Sequence, residues 1–128
     1  MVDAVEQIRS ILAANLQARF LHLKLDHDSG ALTYASPVEQ TKPDVLGFLK
    51  GDRLLIAPSA WRSELCAGFD PEKTARHLRA EGLLHADPGK LQKQEKVLRG
   101  ASVEKGRFYV LDLRILEDAV GSGPKERT

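Results

Sequence analysis

The segment that most constrains the fold of this chain is ELCAGFDPEKTARHLRAEGLL, residues 64–84. Gly68 can adopt the left-handed conformation that ends a helix, and Gly82 can do the same one helix later. Between them, Asp70 supplies an N-cap, and Pro71 suits the first helical position because its φ angle is already set. Two helices joined by so short a turn are typical of a helix-turn-helix.

The second helix of this segment is predicted to be amphipathic over residues 71–81. At 100° per residue, Thr74, Ala75 and Leu78 lie on one side, together with Gly82 at the end. The opposite side carries Lys73, Arg76, His77, Arg79 and Ala80. The first helix is shorter, and we predict that it begins at an N-cap Ser59 and runs through Ala67.

Hydrophobic periodicity predicts the elements around this segment. Apolar residues from Val5 to Leu16 recur every three or four positions, which predicts a helix over about residues 4–18 with Asp3 as its N-cap. From Phe20 the period changes to two, which is typical of a half-buried strand. The remaining predictions are a return strand at 31–35, a loop at 36–44, a β-hairpin of 45–49 and 53–57, and a second hairpin of 90–98 and 107–113 around a loop at 100–106.

The order of these elements predicts the fold class. A helix, strands, a helix-turn-helix and a β-hairpin follow one another as in a winged helix with an N-terminal extension. We therefore predict an α+β, winged-helix-like fold with an N-terminal helix and short strands. Its length of 128 residues and the lack of internal repeats indicate one domain, residues 1–117. Residues 118–128 are predicted to be a flexible polar tail.

Positive charge is concentrated locally in a nearly neutral chain. The 19 basic residues and 18 acidic residues give a net charge of +1, which argues against nucleic-acid binding by bulk charge. The second hairpin nevertheless carries six bases and two acids. Phosphates and guanine edges accept hydrogen bonds, so bases on a recognition helix and a wing indicate DNA contact. Exposed hairpins are also often Lys-rich because lysine blunts a sheet edge, and this second interpretation stays open. The candidate nucleic-acid-binding residues are Lys73, Arg76, His77, Arg79, Lys90, Lys93, Lys96, Arg99, Lys105 and Arg107.

The sequence offers little for catalysis. The single cysteine, Cys66, excludes an internal disulfide, fits a reducing compartment and lies among apolar neighbours as a buried structural thiol does. His22 and residues 26–28 are typical of a polar turn beside a strand rather than of a metal site. No phosphate-binding loop of an ATPase is present. We predict no catalytic residue, no metal and no cofactor, and expect that the domain alone is not an enzyme.

No apolar leader and no apolar run of about 18 residues occurs. We therefore expect no membrane contact and a cytoplasmic location.

Several landmarks also form a family resemblance. The stretch LLIAPSAWRSELCAGFDPEKTARHLRAEGLLHADPGKLQKQEKVLRG, followed by GRFYVL, resembles the C-terminal end of a family of DNA primase/helicase proteins. Phages, plasmids and integrated elements carry these proteins, which contain an uncharacterised domain with an ATPase core. The matching positions are Pro58, Trp61, Cys66, Gly68, Asp70, Pro71, Gly82, Leu84, Lys90 and Arg107 to Val110, with Arg19-Phe20 and Leu46-Gly47-Phe48 upstream.

The resemblance implies the terminal domain of a replicative or mobilisation ATPase, similar to the winged helices that end hexameric helicases and touch DNA or regulate the ring. No catalytic residue carries over, because the motor motifs lie outside this stretch. The expected function is weak DNA binding that becomes useful within a larger assembly. The alternative is a protein-interaction or oligomerisation domain that packs against a motor ATPase, a primase domain or a copy of itself. The sequence leaves open the strandedness of the DNA, its sequence preference, the oligomeric state, and whether the chain is an excised domain or a stand-alone protein.

Overall fold

The computed structural model describes residues 1–121, with side chains described through residue 117. Within that range the chain is a mixed α+β structure of four α-helices and one sheet system of seven strands. The helices are α1 (Val2–Asn15), α2 (Pro58–Ala60), which continues as a π-helical turn (Trp61–Leu65), α3 (Pro71–Ala80) and α4 (Arg114–Gly121). The strands are β1 (Phe20–Leu25), β2 (Leu32–Tyr34), β3 (Gly47–Lys50), β4 (Arg53–Ile56), β5 (Leu84–His85), β6 (Lys93–Arg99) and β7 (Ser102–Asp112). A 3₁₀ helix (Pro37–Thr41) lies between β2 and β3.

The long strand β7 joins the two halves of the sheet. The strand order is β2-β1-β3-β4-β7-β5, with β1 and β3 parallel and the other neighbours antiparallel. The last residues of β7 pair with β4 on one edge and β5 on the other, and its first residues pair with β6. Strands β5 and β6 therefore follow one another along β7, and residues 86–92 form an excursion between them.

Alternation along the strands produces two cores, one on each face of the sheet. Leu54 and Ile56 belong to the cluster under the helices, and Leu55 between them belongs to the other cluster. In β7, Tyr109 and Leu111 lie on the helical face in the same way. Trp61 is fully buried in the helical cluster, where its ring stacks on Tyr109 with centroids 4.9 Å apart.

The β6–β7 hairpin closes the second face of the sheet. Val97 and Phe108 from the hairpin are buried against Phe48 and Leu55, and the Phe48 and Phe108 rings meet edge to face at 5.8 Å. The hydroxyl of Tyr34 in β2 donates to the Gly100 carbonyl at the hairpin turn, over 3.0 Å. The sheet is thus curled and larger than the wing that the sequence predicts, because the hairpin encloses a core of its own.

The predicted turn between the two helices is confirmed. Gly68 and Gly82 have φ angles of +85° and +76°. The Asp70 carboxylate accepts from the N–H groups of Glu72 and Lys73 at 2.9 and 3.0 Å, and these bonds lower its pKa. The buried face of α3 is also as predicted, with Thr74, Ala75 and Leu78 inaccessible.

Two predicted N-caps are wrong. Helix α1 begins two residues earlier than predicted, because the N–H of Val5 already donates to the Met1 carbonyl, which places Asp3 inside the first turn. Helix α2 begins at Pro58 with Ala57 as its N-cap, so Ser59 is a helical residue. Pro58 takes the first helical position because its missing N–H costs nothing there.

The second hairpin also differs from its prediction. Only Gly100 and Ala101 connect β6 to β7, and the predicted loop at 100–106 is mostly strand. Residues 102–107 lack an apolar run because neither face of the strand is buried there, and this hid the strand from periodicity.

Two further segments gain structure that the sequence did not indicate. The predicted loop at 36–44 contains the 3₁₀ helix, whose buried Glu39 accepts from the His22 N–H at 2.9 Å and from the Lys42 ammonium. Helix α4 continues past residue 117, where the polar tail was predicted to start, and the rest of that tail lies outside the described residues. Within residues 1–121, no helix has the length and apolar character needed to cross a membrane.

Candidate nucleic-acid interface

Helix α3 presents three of the predicted bases to solvent. Lys73, Arg76 and Arg79 are exposed, and the Arg76 guanidinium pairs with Glu72 one turn earlier. Arg79 donates from Nη1 to the Lys90 carbonyl at 2.8 Å, which ties the end of α3 to the excursion between β5 and β6. The helix therefore adjoins the hairpin through Lys90 rather than standing apart from it.

His77 occupies a different environment from the other bases of α3. It is half-buried and lines a cleft of about 200 Å³ between α1 and α3, together with Val2, Val5 and Leu83. A ring in such a cleft is not presented to a nucleic-acid groove. Its position explains why the exposed face of α3 is narrower than the sequence suggested.

The outer face of the β6–β7 hairpin carries three of the predicted bases, Lys96, Lys105 and Arg107. Alternation places Lys105 and Arg107 on the same face of β7 as Tyr109, which packs beneath the helices. The hairpin's basic face is consequently continuous with the side of the sheet that bears α3. Across the hairpin, Lys96 is directly opposite Lys105, and Gln94 is directly opposite Arg107.

Lys96 and Lys105 form a pair of like charges at close range. The Lys96 carbonyl accepts from Lys50 and the Gln94 N–H donates to Asp87, so the backbone groups of these even-numbered β6 residues point away from β7. Lys96 and Lys105 are then a non-hydrogen-bonded pair, in which the Cα atoms are about 4.5 Å apart and the side chains are closest. Both side chains are exposed, and neither has an acidic partner within the described part of the chain.

Lys50 anchors the free edge of β6. Its ammonium donates to the Glu95 carboxylate and to the Lys96 carbonyl, each at 3.1 Å. Burial alone would raise the pKa of Glu95, but the hydrogen bonds and charges of Lys50 and Lys93 lower it overall. This bridge holds the hairpin against β3 and fixes the direction in which its outer face points.

Three other predicted bases have carboxylate partners. Lys93 pairs with Glu95 at 3.2 Å, Arg99 with Glu104 at 3.1 Å and Arg107 with Asp87 at 3.3 Å. The ten candidate residues thus form two sets. Those that form no salt bridge within residues 1–121 are Lys73, His77, Arg79, Lys90, Lys96 and Lys105, and those that form one are Arg76, Lys93, Arg99 and Arg107.

Sequence reasoning missed three residues that shape this surface: Lys50, Asp87 and Gln94. The turn at Asp87-Pro88-Gly89 could be recognised from its residues, but the partners of the Asp87 carboxylate could not. Lys50 and Asp87 act on neighbours that the sheet brings close, because Glu95 is 45 positions from Lys50 and Arg107 is 20 positions from Asp87.

A nucleophilic thiol and grouped metal ligands are two kinds of side chain that could support chemistry within residues 1–121. Cys66 is buried, and that burial raises the pKa of its thiol to about 11, which disfavours the thiolate needed for nucleophilic attack. Among residues 1–121, no three His, Cys, Asp or Glu side chains are grouped so as to hold a metal ion.

Comparison of the chain with protein-family models, with curated proteins and with solved structures gives no match.

Proposed function

We propose that this domain is a non-catalytic nucleic-acid-binding module. Its outer β6–β7 face, defined by Gln94, Lys96, Lys105 and Arg107, contacts the phosphate backbone of DNA. Lys90 on the excursion and the exposed bases of α3 extend this contact along the same side of the molecule.

The observation that carries the proposal is the facing pair Lys96 and Lys105. Like charges directly opposite each other on an antiparallel pair destabilise it. Both ammonium groups lie outside the Lys50–Glu95 network, so the pair does not contribute to holding the hairpin in place. A phosphate between them would turn the repulsion into two charge-assisted contacts.

The assignment of the fold as a winged helix is part of the same proposal. The order α2, turn, α3, β5, β6, β7 follows that of a winged helix, and we propose α3 as the recognition helix and the hairpin as the wing. Here the wing would be built into a larger curled sheet. The resemblance to the terminal domains of DNA primase/helicase proteins supports a role as an appended domain in replication or mobilisation. A net charge of +1 gives weak affinity for the isolated domain, which attachment to a motor or primase domain would make effective.

Fluorescence anisotropy tests the proposal, with labelled duplex and single-stranded oligonucleotides at low and at physiological salt. We expect binding with a steep salt dependence. Lys96→Ala and Lys105→Ala should each weaken it severalfold, and each should reduce the log–log salt slope on duplex by about 0.9. Lys24→Ala is the matched control, because Lys24 is also an exposed strand lysine but faces Thr33. No binding at low salt and high micromolar protein, or an equal loss with Lys24→Ala, would refute the proposal.

One observation favours the alternative, an interaction or oligomerisation domain. Val2, which lines the cleft between α1 and α3, is 74% exposed, and an apolar partner side chain would bury it. Sedimentation of the isolated domain tests self-association. A dimer that Val2→Asp disrupts, without nucleic-acid binding, would favour this second function.

A further inference from the structure

One carboxylate occupies the basic face of the hairpin. Oδ2 of Asp87 accepts from the Gln94 N–H at 3.1 Å and lies 3.3 Å from Nη2 of Arg107. A guanidinium and an outward-pointing backbone N–H are the donors that a phosphate oxygen takes in protein–DNA contacts. The Asp87 carboxylate therefore stands where a phosphate of the proposed ligand would stand.

The backbone of the excursion holds Asp87 at this place. Its carbonyl accepts from the Lys90 N–H at 3.0 Å, and its own N–H donates to the Gln92 carbonyl at 3.1 Å. Gly89 closes the turn with a φ angle of +74°. The Asp87 side chain can leave the hairpin by rotation about χ1 while this backbone stays fixed.

The ion pair itself is weak enough to exchange. The side chains of Asp87 and Arg107 are 34% and 43% exposed, and ion pairs that water reaches contribute little to stability. Displacement of Asp87 also frees the facing pair Gln94 and Arg107, which lies two residues along the hairpin from the facing pair Lys96 and Lys105. The two pairs are therefore about 7 Å apart. Two adjacent phosphates of one DNA strand could then contact the two adjacent pairs.

We propose that Asp87 is an internal competitor for a phosphate site formed by Arg107 and the Gln94 N–H, and that nucleic acid displaces it. This inference rests on the proposed function and adds a regulatory residue to it. Asp87 lowers the affinity of the isolated domain for DNA and restricts binding to ligands whose phosphates can contact both facing pairs.

The test is a thermodynamic cycle measured by anisotropy on duplex DNA at low salt. Asp87→Asn keeps an oxygen that accepts from Gln94 but removes the charge, so we expect affinity to rise about two- to fivefold. In an Arg107→Gln background the same change should have little effect, because the site it uncovers has lost its cation. Asp28→Asn is the control of equal charge, since Asp28 is exposed in the β1–β2 turn without a basic partner among residues 1–121. Thermal midpoints of all variants establish that each remains folded.

The possible results of this cycle distinguish a failure of the competition by Asp87 from a failure of the proposed DNA binding. Binding by the wild-type domain with no gain from Asp87→Asn would overturn this inference alone. A gain that persists with Arg107→Gln, or that Asp28→Asn reproduces, would overturn it as well, because it would be a general charge effect. Absence of binding by both the wild type and Asp87→Asn would refute the proposed function and this inference with it.

Discussion

Reversing one charge of the facing lysine pair should change stability and binding in opposite directions. In Lys105→Glu, the new carboxylate faces Lys96 across a non-hydrogen-bonded pair, where side chains are closest. A repulsive contact becomes an attractive one, so the hairpin should gain stability. The same substitution removes a phosphate contact and places a negative charge on the proposed interface, so DNA binding should be lost.

The size of the stability gain follows from the exposure of the pair. Opposite charges on facing strand positions contribute about 0.2–1 kcal/mol, and like charges cost a similar amount. Because water reaches both side chains, we expect a total gain of about 0.5–1 kcal/mol. For a domain of this size that corresponds to a rise of roughly 2–4 °C in Tm.

Thermal unfolding by circular dichroism measures the change, at low salt and again in 1 M NaCl. The gain should shrink at high salt, because the Debye length falls to about 3 Å. Lys105→Gln should give an intermediate value, since it removes repulsion without adding attraction. Lys24→Glu is the matched control and should give no gain, because Lys24 faces Thr33. A lower Tm for Lys105→Glu, or a gain that 1 M salt leaves unchanged, would refute the geometry assigned to this pair.

Two further predictions concern the folded core. Burial opposes the charged form of Asp112, but hydrogen bonds from Arg114 and His85 lower its pKa to about 2 from an ordinary 3.8. The carboxylate therefore contributes about 2 kcal/mol to the free energy of unfolding above pH 4, and this contribution is lost as the pH falls toward 2. The difference in unfolding free energy between wild type and Asp112→Asn, measured in urea, should close over that range. A difference that stays constant with pH would contradict the prediction. Gly47→Ala should cost about 3 kcal/mol or more, because its Cβ would lie 1.8 Å from the Leu55 carbonyl oxygen. A loss under about 1 kcal/mol in the same assay would show that β3 and β4 are farther apart.

The short turn between α2 and α3 could be predicted because its signals are local. The cap at Asp70 and the left-handed glycines at 68 and 82 depend on residues within a few positions of each other. The face of α3 followed from its period for the same reason. His77 was the exception, because its partial burial depends on Val2 and Val5 of α1, far away in sequence.

The sheet could not be predicted in the same way. The parallel pairing of β1 with β3 and the placement of β7 between β4 and β5 are long-range choices that no local pattern encodes. The sequence therefore indicated a free wing where the structure has a hairpin that encloses a second core. The bases of this surface could be identified from the sequence. Which of them form salt bridges and which do not depends on the register of β6 and β7, which places Lys96 opposite Lys105.

The most direct test of the central claim is a titration of the ¹⁵N-labelled domain with a short duplex, followed by amide chemical shifts. The account predicts that the largest shifts cluster at residues 87–96 and 103–107, with smaller ones along the exposed side of α3. Shifts confined to the cleft between α1 and α3, or none at low salt, would contradict it.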